Sequence, residues 1–211
     1  MPESIENAPA PDDLAAAVRA VVDDLAEEVG QSAPVKTVVT DDVRKTSGLA
    51  AYHVEPDTLY LDSALAQQLA EDPGLYFGTG VVLHELGHRS DRQLMLWRFR
   101  AFWWPIYAGM LPMLALLVIG TWTNRPWVWA TMVAMVAVWV LIVLFVCVPL
   151  AWYSEFRADD YCCDVGGIAR AAAVLSGLCD IHLPWGMTLA AGLTHPPSGM
   201  RFRRQMRRAG Y

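Results

Sequence analysis

At 211 residues the chain is long enough for one domain or two small ones, but 55% of it is hydrophobic, only 18% is charged and nine residues are tryptophan. That balance argues against an ordinary soluble enzyme and predicts a membrane protein. The net charge of −6 is unevenly spread: residues 1–72 carry fifteen acids against four bases and residues 73–211 seven acids against twelve bases, so the first third should stay in water and an acidic chain with one short basic run is not built for nucleic acid.

Residues 1–11 are rich in proline, alanine and acids and read as a loose arm; no basic start followed by an apolar core and a small-residue cleavage site predicts a secretory signal. From Asp12 to Val29, Leu14, Val18, Val21, Val22, Leu25 and Val29 recur at helical spacing, with Asp12 as N-cap and Gly30 as the stop. Short β-type runs follow at Pro34 to Thr40, Gly48 to Val54 and Thr58 to Leu61, separated by turn signals. They predict a small sheet whose edge could hold an extended peptide through main-chain hydrogen bonds. A short helix from Ser63 to Leu69 is expected next, then Asp72-Pro73 as N-cap and first residue of a longer helix.

That helix carries His84-Glu85-Leu86-Gly87-His88. At about 100° per residue the two histidines lie about 40° apart on one face, so both rings can reach one metal ion. Neutral imidazoles suit Zn²⁺, which in catalytic sites takes three protein ligands and leaves a place for water. Glu85 beside them is placed to take a proton from that water. A shuffled chain of this composition would carry the motif only about once in two hundred trials.

Beyond His88, Arg89, Arg92, Arg98 and Arg100 surround Leu94 to Trp97 and Phe99, an interfacial composition. Ala101 to Asn124 and Pro126 to Ser154 are then free of charge, broken only by Arg125. The shorter run would extend about 36 Å as helix, enough for a hydrocarbon core of about 30 Å. Trp103, Trp104, Trp122, Trp127, Trp129 and Trp152 sit near the ends of the two runs, as interfacial belts do. Two spans joined by Thr123-Asn124-Arg125-Pro126 make a transmembrane hairpin. Arginines 89, 92, 98, 100 and 157 at its base against Arg125 at its tip predict that both termini and the site face the cytoplasm.

Directly after the hairpin stands Glu155-Phe156-Arg157-Ala158-Asp159. Glu155 is the expected third metal ligand, and Asp159, one turn on, can accept the outer N–H of a ligating imidazole. Cys147, Cys162, Cys163 and Cys179 form no C-x-x-C pair and read as reduced, packed thiols. An Ala-rich helix is expected from Asp164 to Leu178. The isolated His53 and His182 are not expected to bind metal. The terminal arginines 201, 203, 204, 207 and 208 could contact anionic lipid headgroups.

The H-E-x-x-H segment, the two spans, Glu155 to Asp159, and then Thr194-His195-Pro196-Pro197 with Arg201 resemble the integral-membrane zinc metallopeptidases typified by the HtpX heat-shock protease and the CAAX prenyl protease, over roughly residues 35–205. The resemblance implies a gluzincin-type endopeptidase with one Zn²⁺, acting at the membrane surface on membrane or misfolded proteins, with His195 and Arg201 stabilising the oxyanion. One departure is Ala50-Ala51-Tyr52 where relatives often carry an Asn-Ala pair. Sensor-transducer membrane proteases share part of the pattern but not the Thr-His-Pro-Pro segment. A zinc-stabilised scaffold without activity is the competing class, though no metal ligation requires Glu85.

The expected architecture is an α+β membrane protein, mostly α, with a zincin-like core. Residues 1–33 form the acidic arm and amphipathic helix, 34–100 the sheet and zinc helix, 101–153 the hairpin, and 154–211 a helical part that completes the site.

Overall fold

The computed structural model of the chain describes residues 11–43, 48–179 and 192–211. The N-terminal arm, most of the Lys45 to Gly48 turn, the side chain of Cys179 and His182 lie outside them. Two compact units are present: residues 1–92 with 156–183 and 197–211, and residues 93–155 with 184–196.

In the first unit, α1 (Pro11–Glu28) turns Val18, Val22 and Leu25 inward at the expected spacing, and Gly30 ends it with a φ of +72°. Strands β1 (Lys36–Val39), β2 (Ala50–His53) and β3 (Thr58–Leu61) form one sheet in the order β1-β3-β2. β1 runs parallel to β3 with Lys36 opposite Thr58, and β2 antiparallel with Ala50 opposite Leu61. The middle strand buries Thr58, Leu59 and Leu61, whereas β2 lies at an edge.

Asp62 caps α2 (Ser63–Glu71) by accepting the Ala64 N–H at 3.2 Å. The next helix, α3 (Tyr76–Ser90), starts later than the Asp72-Pro73 signal predicts. The Asp72 carboxylate accepts the Gly74 N–H at 3.0 Å instead, closing a local turn before the helix begins. α3 is the most enclosed element of the unit: every residue from Gly78 to His84 is buried. Val81, Val82, Leu83 and Leu86 join Val18, Val22, Leu25, Leu59, Leu61, Leu65 and Leu69 in one core. Each such side chain, fully buried, is worth about 1.5–3 kcal/mol.

The expected separate Ala-rich helix is instead the second half of α6 (Val148–Cys179), which runs unbroken through Asp164 and bends at Gly167, where φ is +80°. α3 lies against α6 through small residues. A Cβ on Gly80 would stand 2.7 Å from the Arg170 carbonyl oxygen, and one on Gly87 would stand 2.9 Å from the Ala158 Cα. A short helix, α7 (Ser198–Arg208), completes the unit.

The second unit is an antiparallel pair. α4 (Arg92–Thr123) leads through Asn124, with φ of +46°, into α5 (Pro126–Ile142), whose first residue is proline. Gly120 faces Val128 and Trp129 near the turn, and the Cys147 thiol reaches the Ala101 carbonyl at 3.5 Å near the open end. A π-helical turn at Val143–Cys147 joins α5 to α6. It precedes Pro149, which has no N–H for the Phe145 carbonyl, so the helical ladder must rearrange there. Two helical runs, Arg92–Thr123 and Pro126–Gly177, are long and apolar enough to cross a membrane. Trp104, Leu111, Val133 and Phe145 are exposed on them, and Trp122 is 88% exposed.

The glycine contacts predict an order of damage. Gly80→Ala meets backbone and should lower the unfolding free energy by about 1–3 kcal/mol. Gly78→Ala meets only side-chain atoms, of Leu69 and Leu65, and should cost less, as denaturant titration of the two variants would show.

Candidate metal centre

α3 presents His84 and His88 on one face, both buried, with their rings edge-on at 4.9 Å between centroids. Glu155 stands one turn ahead of Asp159 on α6 and is 2% exposed. One ligand atom each from His84, His88 and Glu155 can be chosen so that all lie within 4.8 Å of one another. In a tetrahedral site with bonds of about 2.0–2.2 Å the ligand atoms stand roughly 3.4 Å apart. Two neutral imidazoles and a carboxylate are a donor set that suits Zn²⁺. The three residues singled out in the sequence as ligands are therefore brought together.

Asp159 Oδ1 lies 3.0 Å from His84 Nδ1, which leaves Nε2 of that ring for a metal. Arg201, from α7, donates to the same carboxylate through Nε at 2.8 Å and Nη2 at 2.6 Å. Asp159 is 3% exposed and Arg201 4%. Burial pushes the Asp159 carboxyl up, but hydrogen bonds from Arg201 and His84 outweigh it and hold it below its ordinary value. The Arg201 guanidinium lies on Asp159, with Nη2 also at 3.5 Å from both ring nitrogens of His84.

Further ion pairs along α7 dock Arg201. Arg204 forms a salt bridge with Asp160, with its Nη2 at 2.8 Å from Oδ2, Gln205 donates to Asp160 at 2.7 Å, and Arg208 reaches Asp160 and Asp164. Arg204 also sits over the Phe156 ring at 5.0 Å. Burial raises the Asp160 carboxyl, and Arg204 and Gln205 lower it by more, so the net shift is downward. The terminal arginines are thus divided: Arg201, Arg204 and Arg208 are committed to carboxylates, and Arg203 and Arg207 point outward. The sequence offered all five to lipid, because a run of arginines does not show which of them face acids 42 or more positions away.

Glu85 is held from the sheet. Its Oε2 accepts the backbone N–H of Tyr52, on β2, at 2.7 Å. The Tyr52 hydroxyl donates to Asp57 at 2.7 Å, and Asp57 pairs with Arg89 on α3 at 3.2 Å. Arg89 also donates to the Ser32 carbonyl at 2.8 Å. This strap fixes the edge strand relative to the helix that bears Glu85. Sequence reasoning missed it because its decisive donor is a backbone group, which no side-chain pattern reveals.

In the second unit His195 is half exposed, its Nδ1 2.8 Å from Thr194 Oγ1 and its Nε2 3.5 Å from Glu155 Oε1. Arg98 lies 2.9 Å from Ser154 Oγ and 3.4 Å from the same Glu155 oxygen. His53 is exposed and packs against Tyr60. Cys147, Cys162 and Cys163 are free thiols, and burial pushes Cys162 up to about 12, so it stays protonated.

Compared with known families, residues 13–208 match the model of peptidase family M48. No curated protein and no solved structure matches the chain.

Asp159→Asn keeps the shape but loses the anion that orients His84, and it should weaken zinc binding about 10- to 100-fold, measured by competition with a chelator. For Asp160 the folded value is lowered, so its stabilising contribution is complete above about pH 3.9 and fades as pH falls through the folded value. Asp160→Asn should therefore cost about 0.5–1 kcal/mol at pH 7. The gap to wild type should close on acidification, as denaturation at pH 7 and below pH 3.9 would show.

Proposed function

The chain belongs to peptidase family M48, and from that premise we propose that it is a membrane-anchored endopeptidase of the HtpX and CAAX prenyl protease type that uses one zinc ion. The observation that carries this reading is the buried His84, His88 and Glu155 group with Glu85 in the same helical turn as the two histidines. Zinc held there would polarise a substrate carbonyl and lower the pKa of a water towards about 7.

The protein's own groups account for the remaining steps. Glu85 takes the proton of the attacking water and returns it to the leaving amine, with its second oxygen kept in place by the Tyr52 N–H. A substrate segment adds to the outer edge of β2 in extended form, since β2 is paired only with β3 within the sheet. His195, half exposed beside Glu155, is the group to donate to the developing oxyanion. Arg201 acts indirectly, by charge and geometry on Asp159 and so on His84.

The apolar side chains left exposed on α4 and α5 support a hairpin in lipid, where burying them in hydrocarbon removes the cost of wetting them. The arginines at the open end of the hairpin, against Arg125 at its tip, support a site on the cytoplasmic side. Membrane or misfolded proteins that expose an extended segment near the bilayer are the substrate class. Arg203 and Arg207 are the cations available to anionic headgroups.

Glu85→Gln is the test. Full-length protein in detergent with an unfolded substrate such as casein should lose about 10²- to 10⁴-fold in cleavage rate on this change, with zinc content kept. A scaffold would show no metal-dependent cleavage before the substitution and no change after it.

A further inference from the structure

We propose that Arg98 is a positioning residue for the metal centre, holding the Glu155 carboxylate aimed before zinc arrives; the inference rests on the reading of Glu155 as a zinc ligand. Arg98 lies two turns into α4, in a stretch whose composition gives it no role beyond marking the membrane boundary. In the structure its Nη1 is directed at two neighbouring residues of α6, Ser154 Oγ at 2.9 Å and Glu155 Oε1 at 3.4 Å. Ser154 is buried and its hydroxyl donates to the Ala151 carbonyl at 2.7 Å, so it can only accept from Arg98. That fixes the guanidinium beside Glu155.

Glu155 is 2% exposed, so neighbouring protein groups rather than water set the direction of its carboxylate. His195 is also close, at 3.5 Å, but it is half exposed, whereas Arg98 is anchored on Ser154. Arg98 therefore keeps Glu155 in one orientation, so that the ligand is already in place for an ion. Arginines that act through a ligand in this way set metal affinity.

Zinc affinity of the full-length protein in detergent, measured by chelator competition on metal-stripped samples, is the readout, with thermal unfolding of the same samples alongside. Arg98→Met keeps most of the apolar stem and should bind Zn²⁺ about 10- to 100-fold more weakly. Arg98→Lys should fall between Met and wild type. Ser154→Ala, which removes the hydrogen bond between the helices and the hydroxyl's bond to Ala151 but leaves Arg98 beside Glu155, should stay within about threefold of wild type. Arg98→Met with wild-type zinc affinity overturns the proposal, as does a Ser154→Ala loss equal to that of Arg98→Met, which would make Arg98 a helix staple. Where Arg98→Met does not fold, Arg98→Lys decides: several-fold weaker zinc binding supports the role and unchanged binding overturns it. Wild type that takes up no zinc would instead sink the metallopeptidase reading itself.

Discussion

Asp159 is an anion with almost no access to water, and its neighbours must supply what water would have done. It has two partners, His84 on α3 and Arg201 on α7. Removing either leaves a buried charge half compensated, a loss of about 3–5 kcal/mol for ion pairs of this kind. The pair of contacts therefore ties three segments far apart in sequence to one carboxylate. It also commits His84 to one tautomer, which is the condition for the other ring nitrogen to bind metal. The chemistry of the site and the docking of α7 thus rest on the same few atoms.

Close packing makes that contact possible. Asp159 follows Ala158, and Ala158 lies against Gly87 on α3 with no room for a further carbon. Small residues at the crossing bring the two backbones together, so that side chains as short as Asp159 and His84 can meet. Behind α3, the core built by α1, α2 and the sheet holds the helix from its other side. Burial of that core supplies most of the stabilisation against which any strain in the polar cluster must be set.

Parts of this arrangement were legible in the sequence because they obey a period. The spacing of His84 and His88, and of Glu155 and Asp159, becomes geometry once the segments are helical. The strand Thr58–Leu61 and the turn at Asn124 were readable from alternation and turn chemistry in the same way. Other parts were not. Arg98 meets a partner 57 positions away, and its surroundings suggest only a membrane boundary. Tyr52 contributes a backbone N–H, to which its side chain gives no clue. Asp72-Pro73 carried a genuine helix-start pattern that a competing local turn with Gly74 overrode. These are non-local or backbone contacts, for which pattern reasoning has no signal.

The central claim is that two imidazoles and one carboxylate hold a single zinc ion. X-ray absorption at the zinc edge on the purified full-length protein tests it most directly. The account predicts one zinc per chain, surrounded by nitrogen and oxygen at about 2.0–2.2 Å with the signature of two histidines. A sulfur neighbour at about 2.3 Å, drawn from the chain's cysteines, or no bound zinc would contradict it.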